Sequence, residues 1–266
     1  MMRALWTAAS GMTAQQLNVD VVSNNLANVN TTGYKKERVE FKDLLYETMD
    51  RAYMLDGKGK PVNLQVGHGT TAVATLKSFA KGNFEETKNP LDFAIDGEGF
   101  FMIMGPKGQI LYTRDGSFKA SVTEAGQKIT TAEGYPVLDE NGNEIVLNID
   151  ISKLNAGPDG SLSYTDESGV AVDLGQKLGV VKFPNRAGLE SAGGNFYLQN
   201  SASGLPAADW ELGERSVVTQ GFIESSNVQV VEEMVKLIVA QRAYEINSKA
   251  IQAADEMLGQ ANNLKR

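Results

Sequence analysis

The sequence predicts an α+β fold: a helix at each end of the chain, together forming a coiled-coil-like inner domain, and a central, mostly antiparallel β domain between them. Three observations carry this reading. Apolar residues recur at alternating three- and four-residue spacing over the first thirty positions. Apolar residues recur every seventh position beyond residue 229. Between these ends, short β-branched and aromatic runs alternate with Asp-Gly and Asn-Gly dipeptides.

At the N-terminus, Leu5, Ala8, Met12, Gln15, Val19, Val22, Leu26 and Val29 form a heptad seam in which Gln15 is the one polar member. No proline interrupts it, and Gly33, following Asn30-Thr31-Thr32, is a stop signal. Asn24, Asn25, Asn28 and Asn30 cluster near the end of the seam. Two readings stand side by side for this cluster. It is a helix terminus fraying into a turn, or it supplies polar hydrogen bonds that fix the register between packed subunits, as a buried Asn does in a coiled coil.

At the C-terminus, Ser226-Asn227-Val228-Gln229 fits a capping box. Beyond it Val230, Leu237, Tyr244, Ile251 and Leu258 recur every seventh residue. Met234 fills one intervening position, and Gln241, Ser248 and Asp255 are the polar ones. A neighbouring stripe of Ala243, Asn247, Ala250, Ala254 and Met257 is rich in small residues that permit close helix approach. Helices of this kind owe most of their stability to packing of the apolar face rather than to propensity. The two ends are therefore expected to pair, and the stripes left over to be covered by further subunits. The self-assembly interface expected on this basis comprises Leu5, Met12, Val19, Val22, Asn24, Asn25, Leu26, Asn28 and Val29 at one end, with Val230, Met234, Leu237, Tyr244, Ile251 and Leu258 at the other.

In the middle, Asp96-Gly97, Asp115-Gly116, Asn141-Gly142 and Asp159-Gly160 are turn dipeptides. The runs Phe100–Met104 and Glu144–Ile149 are of strand length. The polar stretch from Met49 to Leu64, which contains Asp56-Gly57-Lys58-Gly59-Lys60-Pro61, reads as an extended linker or hairpin. The expected organisation is an N-terminal helix over 1–35, a linker or hairpin over 36–70, a β domain over 71–221 and a C-terminal helix over 222–266.

Composition excludes several function classes. Lys plus Arg number 25 against 33 Asp plus Glu, a net charge of −8, which argues against nucleic-acid binding. Cysteine is absent, which removes disulfides, thiolate metal sites and cysteine nucleophiles. No segment approaches the roughly 18 apolar residues of a membrane span. The stretch Ala4–Ala9 after Arg3 is shorter than a secretory h-region, so no cleavable signal peptide is expected. His68, the only histidine, sits in a Gly-His-Gly turn and leaves no HExxH site. Gly67-His68-Gly69-Thr70-Thr71-Ala72 formally matches GxGxxA, but a β-branched run follows where a dinucleotide site needs a helix. Asp92 and Asp96 read as turn residues rather than an acid–base pair. No catalytic residue, cofactor or metal ligand is expected.

Ser23-Asn24-Asn25-Leu26-Ala27-Asn28-Val29-Asn30-Thr31-Thr32-Gly33-Tyr34-Lys35 resembles the N-terminal signature of the flagellar rod and hook axial proteins. Ser226–Val235 and Gln241–Ile251 resemble their C-terminal signature, and Asp96–Phe101 with Tyr112–Phe118 resemble the middle. The likeness runs along most of the chain. The run Arg242–Ala250 is similar to the distal-rod branch, with proximal rod and hook-type axial proteins as the alternatives. A secreted carbohydrate-active enzyme or a soluble binding module would account for the β domain but not for the paired heptad ends.

The resemblance implies a structural subunit of the distal rod and not an enzyme. Such a subunit polymerises with itself into a helical tubular drive shaft that transmits torque to the hook. It implies as partners proximal rod proteins, the hook protein, surrounding ring bushing proteins and the flagellar export apparatus. It places the chain in the periplasmic rod of the basal body, exported by the type III route without a cleaved signal. It also implies that the stretch from Tyr46 to Pro61 stiffens the rod, although this sequence departs there from the enterobacterial-looking version.

Overall fold

The computed structural model describes residues 2–50, 53–55, 58–60, 63–123, 126–166 and 170–263. The α+β class is as the sequence predicts. The chain divides into two compact units: a helix-and-ribbon unit of Met1–Ala27, Glu37–Lys77 and Gln229–Arg266, and a β unit of Asn28–Lys36 and Ser78–Val228. The backbone therefore passes from one unit to the other at residues 27/28, 36/37, 77/78 and 228/229.

The helix-and-ribbon unit contains helix α1 (Met2–Ala27), strands β1 (Glu37–Asp43), β2 (Tyr46–Asp50), β3 (Tyr53–Leu55), β4 (Lys58–Lys60), β5 (Leu64–Gly67) and β6 (Thr70–Lys77), and helix α2 (Val230–Asn263). The helices run antiparallel. Asn25 Nδ2 donates to Glu233 Oε2 at 3.1 Å. Fourteen residues along each helix from that contact, a Cβ on Gly11 would come within 2.8 Å of Asn247 Nδ2. Small residues permit this approach: Ala8, Ala14, Ala240 and Ala254 are all buried. Strands β1 and β6 form an antiparallel ribbon with a bulge at Glu40/Phe41, and it packs on α1. In the stretch read as linker or hairpin, β2 pairs with β5 and β3 with β4, making a hairpin within a hairpin. Arg51, Ala52, Asp56, Gly57, Pro61 and Val62, which belong to the stretch read as linker or hairpin, lie outside the described residues.

Both helix boundaries differ from expectation. Helix α1 stops at Ala27, two residues short of the last seam position, Val29. There the Thr31 amide donates to the Asn28 carbonyl at 3.2 Å and Thr31 Oγ1 donates to Asn28 Oδ1 at 3.2 Å. Side chains of this type offer the backbone an alternative to the helix. At the other end α2 starts at Val230, four residues after Ser226, and its opening bond runs from the Glu233 amide to the Gln229 carbonyl. The Ser226 hydroxyl accepts from the Val228 amide instead of capping, because Asn227 is tied elsewhere, as described below.

The β unit contains β7 (Phe84–Glu86), β8 (Phe93–Asp96), β9 (Phe100–Met104), β10 (Ile110–Thr113), β11 (Lys119–Thr123), β12 (Gly126–Thr130), β13 (Val146–Leu147), β14 (Leu154–Ala156), β15 (Ser161–Thr165), β16 (Ala171–Lys177), β17 (Val180–Lys182), β18 (Glu190–Gly193), β19 (Phe196–Leu198), β20 (Ala207–Ala208), β21 (Val217–Gln220) and β22 (Phe222–Glu224). A six-stranded antiparallel sheet has the order β18-β19-β10-β9-β17-β20, and β11-β12-β13 and β14-β15-β16 form two smaller sheets. Side chains alternate faces along β9. Phe101 joins a core with Phe93, Ile95, Phe118, Ile129 and Leu162. Phe100 joins Phe79, Tyr112, Phe183 and Tyr197 in an edge-to-face aromatic cluster with ring centroids 4.8 to 5.9 Å apart. The run 144–149 yields only the two-residue strand β13. Gly116 has no positive φ, unlike the glycines of the other three turn dipeptides. Its lack of a side chain serves close approach instead, since a Cβ there would overlap the Phe93 carbonyl oxygen.

Candidate functional site: a buried clasp and an exposed helix pair

Two arrangements stand out, one in each unit. In the β unit, Lys35, Arg114 and Glu224 form a wholly buried ion triad. Lys35 Nζ lies 2.6 Å from Glu224 Oε1, and Arg114 Nη1 lies 3.4 Å from Glu224 Oε2. Lys35 also donates to the Ala80 carbonyl at 2.9 Å, and the Gly82 amide donates to Glu224 Oε1 at 2.8 Å. Arg114 donates to the Ile95 and Gly97 carbonyls and lies 5.3 Å from the centre of the Phe100 ring. Asn227 completes the network. Its Oδ1 accepts from the Lys36 amide at 2.8 Å, while its Nδ2 donates to the Ser78 and Ala80 carbonyls. The Ser78 amide in turn donates to the Lys36 carbonyl at 2.9 Å.

The position of this clasp in the chain matters. Lys36, Ser78 and Asn227 each lie next to a point where the backbone leaves the β unit. One polar network therefore anchors three of the four crossing segments. Gly33 makes the fit possible. Its φ is +67°, its amide donates to the Glu224 carbonyl, and a Cβ would come within 2.6 Å of the Asp115 amide nitrogen. Burial holds the Lys35 ammonium below the usual lysine range despite the pull of Glu224, and it lowers Arg114 for the same reason. Two cations share one carboxylate, so each hydrogen bond to a carbonyl is needed to hold the second charge in place.

In the helix-and-ribbon unit the expected interface residues divide into two sets. Val22 and Asn25 are buried, and Leu5, Met12, Val19, Leu26, Leu237, Ile251 and Leu258 are half-buried. Val230, Met234 and Tyr244 are 41 to 49 % exposed, and Asn24 is exposed. Asn28 and Val29 belong to the β unit and are half-buried there. Asn25 fixes register inside one chain: besides bonding Glu233, it donates to the Glu37 carbonyl at 2.8 Å and accepts from the Glu37 amide at 2.9 Å. It thus ties α1, α2 and the start of β1 together. Glu233 is itself buried, with its other oxygen 2.6 Å from Lys236 Nζ.

The residues weighed for chemistry have other work. His68 is half exposed with Nε2 3.9 Å from Glu47, which also pairs with Arg3. Asp92 accepts from the Asn89 side chain at 2.9 Å, and Asp96 pairs with Lys81 at 2.6 Å. Lys35, Arg114, Glu224 and Glu233 escaped the sequence reading. The signal available was indirect: Lys35, Gly97, Arg114 and Asn227 all lie inside stretches that carry the family resemblance.

Comparison with known proteins matches the same stretches. Residues 5–35 match the family described as flagella basal body rod protein. Residues 94–164 match the flagellar hook protein FlgE/F/G D1 domain, and residues 219–264 match the flagellar basal body rod FlgEFG protein C-terminal family. The chain is 47 % identical to the flagellar basal-body rod protein FlgG of Borreliella burgdorferi, with all of both chains covered. It is 41 % identical to FlgG of Caulobacter vibrioides over 99 % of this chain and all of that one. It is 31 % identical to the flagellar hook-basal body complex protein FlhP of Bacillus subtilis, again over the full length of both.

Proposed function

We propose a mechanical role, on the premise that this chain belongs to the flagellar basal-body rod protein family. It is a structural subunit of the flagellar rod, in the distal segment, where copies polymerise into a helical tube that carries torque to the hook. The observation that carries this reading is the exposed helix pair. Seventeen of the 24 exposed large apolar residues among the described residues lie in the helix-and-ribbon unit. Surface of that kind marks an interaction site, and heterologous contacts that fail to close into a ring build filaments. The clasp supports the same reading, because a subunit that transmits torque needs the segments leaving its β unit firmly anchored.

The assembly surface is formed by the seam residues of α1 and α2 and completed by neighbouring copies. The subunit turns over no chemistry. Its further partners are proximal rod proteins and the hook protein at the ends of its segment, ring bushing proteins around it, and the export apparatus that delivers it to the periplasm without a cleaved signal. The nested hairpin formed by β2–β5, which takes in most of the stretch from Tyr46 to Pro61, acts as a wedge that limits sliding between neighbours. Electron cryo-microscopy of isolated hook–basal bodies tests the assignment. Density that fits this chain in the distal rod is expected, and density for it only in the hook or the proximal rod would overturn it.

A further inference from the structure

The first three turns of α2 carry an exposed apolar ridge, and α1 borders an open, partly apolar groove. Val230, Val231, Met234, Val235, Ile238 and Val239 are 41 to 76 % exposed. Val231, Val235 and Ile238, spaced i, i+4, i+7, form the crest of a ridge. These six side chains expose apolar area on the order of 500 Å², the size of the largest apolar patch on a typical monomer, which is often functional. On the same unit, Trp6, Ala14, Leu17, Leu44, His68 and Ala72 line an open groove of about 560 Å³ between α1 and the β1–β6 ribbon.

We propose that this groove receives the α2 ridge of a second copy of the chain, an inference that rests on the self-assembly reading above and specifies its contact. The antiparallel pairing argues for a second copy. The ridge begins beside the Asn25–Glu233 contact, whereas the groove lies beside Gly11, which faces Asn247. Fourteen residues of helix separate those levels, about 20 Å at 1.5 Å per residue. A chain therefore cannot fill its own groove. A two-fold dimer would set ridge on ridge and leave both grooves open. A repeated screw displacement fills every groove and leaves the next ridge free, so it propagates.

Charge favours the same occupant. The helix-and-ribbon unit carries twelve Lys and Arg against twelve Asp and Glu, while the β unit carries thirteen against twenty-one, so the whole net charge of −8 falls on the β unit. Copies of the neutral unit stack without like-charge repulsion, and a strongly charged foreign partner finds no net field to read. The ridge alone is smaller than the roughly 800 Å² per partner of a stable pair. Dilute copies therefore stay apart, and repeated contacts hold the filament.

The absence of cysteine makes a clean test available. Thr13, on the groove rim, and Val235, on the ridge, are both exposed. Rods purified from cells producing the Thr13→Cys/Val235→Cys double variant should, on oxidation, give a ladder of covalent multimers, and a mixture of the two single variants should give dimers only. Dimers from Val235→Cys alone would show ridge packed on ridge and overturn the inference. So would a double variant that enters rods but yields no ladder. A second readout avoids oxidation chemistry. Val235→Lys should keep the monomer's circular dichroism and reduce incorporation into rods, beside wild-type copies, at least tenfold. Unchanged incorporation would overturn the groove assignment while leaving the rod assignment standing. Absence of the wild-type chain from purified rods would overturn both.

Discussion

In the β unit the buried apolar residues include Phe93, Phe100, Phe101, Phe118, Tyr112 and Tyr197. In the helix-and-ribbon unit none among the described residues is larger than valine: Ala8, Ala14, Val21, Val22, Ala240 and Ala254. Many larger residues of that unit, Trp6, Leu45, Met234, Ile238 and Ile246 among them, are exposed, and others such as Leu26 and Leu237 are half-buried. The β unit thus has an interior that removes aromatic rings from water, worth about 1.5–3 kcal/mol for each fully buried large side chain. The helix pair has a thin seam held in register by one buried Asn–Glu contact. On the proposed reading, one polypeptide combines a module whose stability is internal with a module that assembly completes.

The division is broken most severely by a charge on the seam. Leu26→Asp or Leu237→Asp should abolish rod formation and motility, because each puts a charge where apolar surfaces meet. The urea transition of the β unit should stay within about 0.5 kcal/mol of wild type. Normal motility in either variant would mean that the seam faces are wrongly assigned.

Next in size is a change on the other side of the comparison. Glu224→Ala leaves two buried cations without their carboxylate, and it should destabilise the β unit by about 3–5 kcal/mol in denaturant unfolding. A loss below about 1 kcal/mol would mean that the clasp contributes little.

Deleting Thr48 to Lys60 sharpens the picture within the helix-and-ribbon unit. Export and polymerisation should continue, but images of the rods should show bending or abnormal length. Straight rods of normal length would make the stretch a slack connector, since loop-length changes by themselves cost little.

The smallest expected effect is electrostatic and confined to the β unit. A hydrogen bond from Ser161 Oγ at 2.6 Å lowers the Asp159 carboxyl from 3.8 to about 2. A carboxylate whose folded pKa lies below its unfolded value contributes stability that is full above 3.8 and is lost as pH falls towards 2. Ser161→Ala should therefore lower the urea midpoint slightly at pH 5 and leave it unchanged near pH 2. It should also raise the Asp159 pKa measured by NMR.

The comparison also marks what was legible in the sequence. Both helices and the strand Phe100–Met104 follow from local pattern, whereas the stretch from Met49 to Leu64 was open between linker and hairpin. The helix-pair seam was only partly legible. A heptad reading takes the largest apolar residue at each step, which selected Val230, Met234 and Tyr244, whereas close approach at Gly11 turns Ala240, Asn247 and Ala254 inward. The clasp was not legible from local pattern. Lys35 and Glu224 are 189 residues apart and Arg114 and Glu224 are 110 apart, so no local periodicity links them. For the cluster of Asn24, Asn25, Asn28 and Asn30 the sequence left fraying and register fixing open, and the partner that Asn25 meets, Glu233, stands 208 residues away inside the same chain. The uneven split of charge likewise becomes visible only when the unit boundaries are known.

Hydrogen exchange compared between a verified monomer and assembled rods tests the central claim most directly. In the monomer, amides of the β unit should be strongly protected, while those of residues 2–27 and 230–263 should exchange many times faster. In rods, both terminal segments should become as protected as the β unit. Strong protection of both helices in the monomer, unchanged on assembly, would contradict the claim that the helix pair is completed by other copies.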